Sequence, residues 1–227
     1  MNPPLAKRKI KVLLFAKAKP GLDKVISTLD RYDCEVILFR GQRIEPFPSG
    51  AYGMDPDITL SYISPWMIPD LILRQTKRGS INFHPGPPEY PGIGCTNFAL
   101  YEGAVKYGVT AHLMERTVDS GRILGVRRFP IDPQDTVFSL TEKAYAELYR
   151  LFQDVLETIL TKDELPACGE VWKRRPFTRR QLEDLCRVDI HMPPEEIGRR
   201  IRATTYPGMP GAYMEWMGYK FEYNPSR

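Results

Sequence analysis

Long apolar runs are missing from this chain of 227 residues. No stretch approaches the roughly 20 residues a membrane-spanning helix needs, and candidates such as Val12 to Ala16 are interrupted by charge. A transmembrane protein is therefore not expected. The segment Met1 to Lys11 carries Lys7, Arg8, Lys9 and Lys11 but no small-residue cleavage pattern after an apolar core, so the expectation is no signal peptide and a cytoplasmic location. Histidine and cysteine are also scarce. The histidines are His84, His112 and His191, and Cys34, Cys95, Cys168 and Cys186 are far apart with no C-x-x-C pair, which gives a zinc site poor support. Scattered cysteines in a chain this long read as reduced, half-buried small hydrophobes. The formal net charge of +4 is too small to argue for nucleic acid by itself.

What the chain has is alternation of short apolar strands with amphipathic segments. Ile10 to Ala16 reads as a strand, Pro20 and Gly21 as a turn, and Leu22, Val25, Ile26 and Leu29 as one face of a helix. Strands are expected at Cys34 to Phe39, Ile58 to Ile63 and Ser80 to Phe83, with helices at Pro69 to Gln75 and Cys95 to Ala104. The implied class is α/β, a Rossmann-like, mostly parallel twisted sheet with helices on both faces. Gly108 to Met114 and Ile123 to Phe129 look like a last pair of strands, with antiparallel pairing open to them. From Thr136 to Leu160 the apolar residues Val137, Leu140, Ala144, Leu148, Leu151, Val155 and Ile159 step by three or four, which predicts a long closing helix. After about residue 163 prolines and arginines multiply. The expected organisation is a catalytic domain over 1–163 and an extension over 164–227, with a short helix at Glu195 to Ala203 and a hairpin at Gly211 to Tyr223.

Within Ser80 to Leu124, Asn82 and His84 stand two residues apart at the end of a strand and so project together, while Phe83 faces the other way. Asp119 lies in the later turn Asp119-Ser120-Gly121. An amide donor, an imidazole and a carboxylate form a kit for stabilising and collapsing a tetrahedral acyl intermediate. For each residue alone the ordinary reading is the commoner one. A lone histidine at a strand end is usually satisfied by its surroundings, and Asp-Ser-Gly is a common turn. The stiff Pro85 to Gly94 loop can wall a pocket or be merely a proline-rich connection. His112 reads as structural.

The segment resembles the formyltransferases that use 10-formyltetrahydrofolate. Their Asn-x-His-Pro pattern stands as Asn82, Phe83, His84 and Pro85, their Gly-Val-Thr strand as Gly108, Val109 and Thr110, and their Asp-x-Gly turn as Asp119, Ser120 and Gly121. The resemblance implies catalytic roles for Asn82, His84 and Asp119 and 10-formyltetrahydrofolate as cosubstrate. It puts the folate at the strand ends and loops holding Ile63, Ser64, Pro65, Thr110, Val118 and Gly121, and the acceptor along Pro85, Gly86, Tyr90 and Gly94. Gly86, Pro87, Pro88 and Glu89 replace the frequent Ser-Leu-Leu-Pro of the family, and Lys17, Ala18, Lys19 and Pro20 replace the glycine-rich phosphate loop of glycinamide ribonucleotide formyltransferase. Too few residues follow 163 for the complete β-barrel of methionyl-tRNA formyltransferase.

By elimination and overall likeness, the expected subgroup is the sugar N-formyltransferases. They act on nucleotide-linked amino sugars destined for surface polysaccharide such as O-antigen. The expected partners are such a sugar and possible homodimer formation through the aromatic end, with neither nucleic acid nor membrane. Arg174, Arg175, Arg179, Arg180, Arg199, Arg200 and Arg202 suit a diphosphate, although a solvated basic face is the more ordinary reading. A methionyl-tRNA formyltransferase-like enzyme and a formyltetrahydrofolate hydrolase are the alternatives.

Overall fold

The computed structural model describes residues 8–19 and 21–224. Pro20 of the first expected turn and residues 1–7 of the basic leader lie outside the described residues. The chain runs β1 (Lys11–Lys17), α1 (Leu22–Arg31), β2 (Glu35–Gly41), β3 (Ile58–Tyr62), α2 (Asp70–Gln75), β4 (Ser80–His84), α3 (Cys95–Tyr101), β5 (Lys106–Leu113), β6 (Ile123–Pro130), α4 (Val137–Lys162), α5 (Arg179–Cys186), α6 (Pro194–Thr204), β7 (Tyr213–Trp216) and β8 (Tyr219–Glu222). Six strands form one sheet in the order β2-β1-β3-β4-β5-β6, and β7 and β8 form a separate antiparallel hairpin. The α/β class and the C-terminal hairpin thus agree with the sequence.

β1 pairs in parallel with β2 and β3, and β3 pairs in parallel with β4 from Thr59 opposite Ser80 onward. Val12 to Ala16 are all fully buried. That is why β1 is a continuous apolar run: a parallel strand covered on both faces has no side to leave polar. β5 reverses the direction. Met114 donates to the Ser80 carbonyl while His112 meets Asn82, so residue numbers climb on one strand as they fall on the other. Leu113 donates to Arg122, and Gly108 lies against the Arg127 carbonyl, so β5 and β6 are antiparallel as well.

The contacts divide the chain into two compact units. The first comprises Met1–Phe83, Ala111–Leu124 and Phe152–Ala167. Its packing includes Phe83 against Phe152 at 5.1 Å and Tyr62 against Phe152 at 5.6 Å between ring centroids. A second aromatic group joins Phe15, Phe39, Phe47 and Trp66; the indole N–H of Trp66 donates to the Glu45 carbonyl at 2.9 Å, which makes it a core residue.

The second unit comprises His84–Thr110, Gly125–Leu151 and Cys168–Arg227. Phe98 and Phe177 stack face to face at 3.8 Å, so the segment after α4 is held against α3. α4 begins where Thr136 Oγ1 accepts the Ser139 N–H, and Leu140, Ala144 and Leu148 of its apolar stripe are fully buried. α5 was not expected from the sequence. Thr178 and Gln181 form a capping box at its start, and only Leu185 of its residues is buried. So short an apolar stripe leaves little period to read.

Candidate active site

β4 ends the first unit with Asn82, whose backbone alternation sends Phe83 to the opposite face against Tyr62 and Phe152. The Asn82 amide nitrogen lies 3.1 Å from His112 Nε2 and 3.4 Å from Asp119 Oδ1. His112 Nε2 is itself 3.1 Å from Asp119 Oδ1. His112 and Asp119 are 2% and 5% exposed, so the carboxylate is buried among groups able to donate to it. The other ring nitrogen of His112, Nδ1, is 2.8 Å from the Leu113 carbonyl; a carbonyl only accepts, so Nδ1 carries a proton.

The Asp119 turn is tight for a visible reason. A Cβ on Gly121 would sit 2.0 Å from the Leu113 carbonyl oxygen, so only glycine lets β6 leave the turn along that path. Asp119 itself has φ 44, a left-handed conformation that short polar residues tolerate. The Asp-Ser-Gly turn is therefore real, and it also delivers a carboxylate to the amide two strands away in sequence.

His84, the last residue of β4, belongs to the second unit and is 6% exposed. Its Nε2 lies 3.1 Å from the Tyr90 carbonyl, which makes Nε2 the donor there. Trp172 meets the ring edge-on at 6.2 Å between centroids. A Cβ on Gly86 would fall 2.5 Å from His84 Nε2 and 2.8 Å from the Tyr90 carbonyl, so the glycine at this position leaves room for the imidazole. Tyr90 is in turn anchored. Its hydroxyl donates to Glu102 at 3.0 Å, Glu102 takes a bidentate pair from Arg174 at 2.7 and 3.0 Å, and the guanidinium lies over the Tyr90 and Phe177 rings. Burial, with the Glu102 charge beside it, pushes the Tyr90 phenol up to about 12. It stays a neutral donor.

Several predicted binding residues turn out to have structural tasks. Thr110 is fully buried and donates its hydroxyl to the Gly86 carbonyl at 2.8 Å, so it ties down the His84 loop. The side chain of Tyr90 is likewise committed within the protein, and Pro85 offers its carbonyl to the Tyr107 hydroxyl at 3.0 Å. Gly94, with φ 73, starts α3 against Leu182. Ile63 and Ser64 sit where β3 ends: Ile63 has φ 51, rare for a β-branched residue, and Ser64 Oγ accepts the Trp66 N–H at 3.1 Å. Pro65 and Val118 are partly exposed. The sequence reading missed His112, Trp172 and the Glu102–Arg174 pair as groups that organise the catalytic candidates; only the alternation of Thr110 and His112 along one strand face hinted at the first.

The arginines proposed for a diphosphate are largely engaged. Arg174 holds Glu102, Arg199 and Arg200 both hold Glu196, and Arg202 donates to the Pro133 and Asp135 carbonyls. Burial acts upward on Glu196, but bonds from Tyr101, Arg199 and Arg200 outweigh it and bring the carboxyl down to about 2.

The amide of Asn82, the imidazole of His112 and the buried carboxylate of Asp119 at β4 and the turn after β5 fit one class of chemistry, acyl transfer on a Rossmann-like sheet. Comparison with known proteins points to the acyl group: residues 55–156 match the formyl transferase family. The chain is similar both to a sugar N-formyltransferase and to a methionyl-tRNA formyltransferase. It is 29% identical over 183 residues to GDP-perosamine N-formyltransferase of Brucella melitensis, covering 80% of this chain and 69% of that one. It is 31% identical over 176 residues to methionyl-tRNA formyltransferase of Geobacillus thermodenitrificans, covering 73% of this chain and 54% of the relative. The solved sugar N-formyltransferase of Shewanella superposes with a TM-score of 0.75 at 18% identity over 94% of this chain and 96% of that structure, a likeness of fold. The one-carbon donor of the family is 10-formyltetrahydrofolate.

Proposed function

We propose that this protein is an N-formyltransferase that moves the formyl group of 10-formyltetrahydrofolate to the amine of a nucleotide-linked amino sugar, for surface polysaccharide such as O-antigen. The observation that carries the reading is the Asn82 amide bound to a buried Asp119 at the end of β4. The likeness to GDP-perosamine N-formyltransferase supports the sugar as acceptor.

In this reading the amine attacks the formyl carbon, and charge grows on the formyl oxygen. Asn82 donates to that oxygen, and a well-placed donor of this kind lowers a barrier by about 3 kcal/mol; His84, whose Nε2 hydrogen goes to the Tyr90 carbonyl, can add a donation only from Nδ1. Asp119 takes the proton that the amine gives up, directly or through a water. The tetrahedral carbon then releases N10 of the folate, which gains a proton as the C–N bond breaks. The donor suits a site of this composition: the ends of β3 and of the Asp119 turn present backbone in left-handed conformations at Ile63 and Asp119, and the flat pterin edge is read by backbone amides and carbonyls.

The 31% identity to a methionyl-tRNA formyltransferase supports a second acceptor, an RNA-linked amine. The commitment of Arg174, Arg199, Arg200 and Arg202 to internal partners weighs against it, because few of these guanidinium groups are left to grip phosphates. Incubating the protein and 10-formyltetrahydrofolate with a panel of nucleotide-linked amino sugars tests the proposal. One of them should gain the mass of a formyl group, and formate released without any amine would instead reveal a hydrolase.

A further inference from the structure

We propose that His112 is a positioning residue of the formyl-transfer site, one that fixes the Asp119 carboxylate and the orientation of the Asn82 amide. The inference rests on the reading of Asn82 and Asp119 given above. Asn82 Nδ2, His112 Nε2 and Asp119 Oδ1 are mutually 3.1, 3.1 and 3.4 Å apart, all on strand β4, strand β5 and the turn that follows it.

Because Nδ1 gives its proton to the Leu113 carbonyl, Nε2 has two states only. When bare, it accepts one hydrogen of the Asn82 amide, whose second hydrogen goes to Asp119; both amide hydrogens are then spent within the protein. With a proton between Nε2 and Oδ1, His112 donates to Asp119, the Nε2 lone pair is gone, and one amide hydrogen of Asn82 is released to face outward. Only the second state offers the hydrogen that a formyl oxygen requires. The triangle thus couples the donor on Asn82 to a proton shared by His112 and Asp119. The balance closes without another reagent: His112 Nε2 starts bare, the N–H bond of the attacking amine breaks, and its proton becomes the one shared by Asp119 Oδ1 and His112 Nε2, which frees the Asn82 hydrogen as charge grows on the formyl oxygen; the same proton equivalent then leaves on N10 of the folate.

The two ring nitrogens can be tested separately. His112→Asn keeps a donor for the Leu113 carbonyl but does not reach Asp119, whereas His112→Gln carries an amide to the place of Nε2. The expected result is a kcat reduced by about 10- to 100-fold in His112→Asn, with KM for the folate within about twofold and partial recovery in His112→Gln. The order should survive at equal melting temperature. Both variants within about twofold of the parent kcat would overturn the proposal, as would a loss that tracks melting temperature alone. A readout without turnover separates this idea from the function itself. In protein labelled with ¹⁵N-histidine, the Nε2 resonance of His112 should move on Asp119→Asn while that of His191 stays; an indifferent His112 resonance refutes the contact even if the enzyme formylates a sugar, and a responsive one upholds it even if the acceptor proves to be something else.

Discussion

Single side chains carry the chemistry, and the sharpest expectations concern them. Asn82→Ala and Asp119→Ala should each lower kcat by at least about 100-fold, with the far-ultraviolet spectrum unchanged, because neither side chain fills the apolar core. His84→Ala with a near-normal rate would remove the basis of the mechanism. Gly86→Ala tests the loop that shapes His84. A methyl group placed 2.5 Å from Nε2 and 2.8 Å from the Cys95 Cβ must push something aside, so the variant should lose activity and about 1–3 kcal/mol of stability. A thermal melt within a degree of the parent would contradict the crowding. Much of this residue set was legible beforehand, because Asn82, His84 and Asp119 sit in short ordered motifs. What was not legible is partnership. His112 lies 30 residues from Asn82, Trp172 lies 88 residues from His84, and no local pattern joins residues that only the fold brings together.

At the scale of elements, strands buried on both faces and the long α4 were readable, since Val12 to Ala16 and the stripe from Val137 to Ile159 each repeat one pattern over their full length. α5 was not, because its single buried side chain, Leu185, gives no period and its start depends on the capping pair Thr178 and Gln181. The junction of α3 and α6 yields an acid-sensitivity prediction. Glu196 on α6 accepts from Tyr101 on α3 at 2.8 Å and from two arginines of its own helix. Its pKa is lowered on folding from 4.5 to about 2, so its contribution is complete above the unfolded value and fades as pH falls toward the folded one. Glu196→Gln should therefore melt lower than the parent near neutrality, and the gap should close on titration from about pH 5 to about pH 2. A gap that persists undiminished in acid would assign the effect to shape rather than charge.

The whole molecule is an α/β protein by its strand order, and residues 55–156 match the formyl transferase family. No helix among the described residues is long and apolar enough to cross a membrane. The hairpin leaves Trp216, Tyr219 and Phe221 about half exposed or more, and sedimentation tests the homodimer expected from the sequence. Net charge separates the two acceptor classes. A carrier RNA would be held through many phosphates and released steeply by salt, whereas one diphosphate gives a shallow dependence. The sugar reading predicts that raising salt from about 50 to about 200 mM changes KM for the acceptor less than about tenfold, against about a thousandfold or more for an RNA held by six phosphates.

The most direct test is mass spectrometry of a nucleotide-linked amino sugar after incubation with 10-formyltetrahydrofolate and either the parent protein or Asn82→Ala. The account predicts gain of one formyl group on the sugar amine with the parent, matched by tetrahydrofolate release, and almost none with the variant. Equal formylation by both proteins would contradict it, because the amide at the end of β4 would then have no part in the transfer.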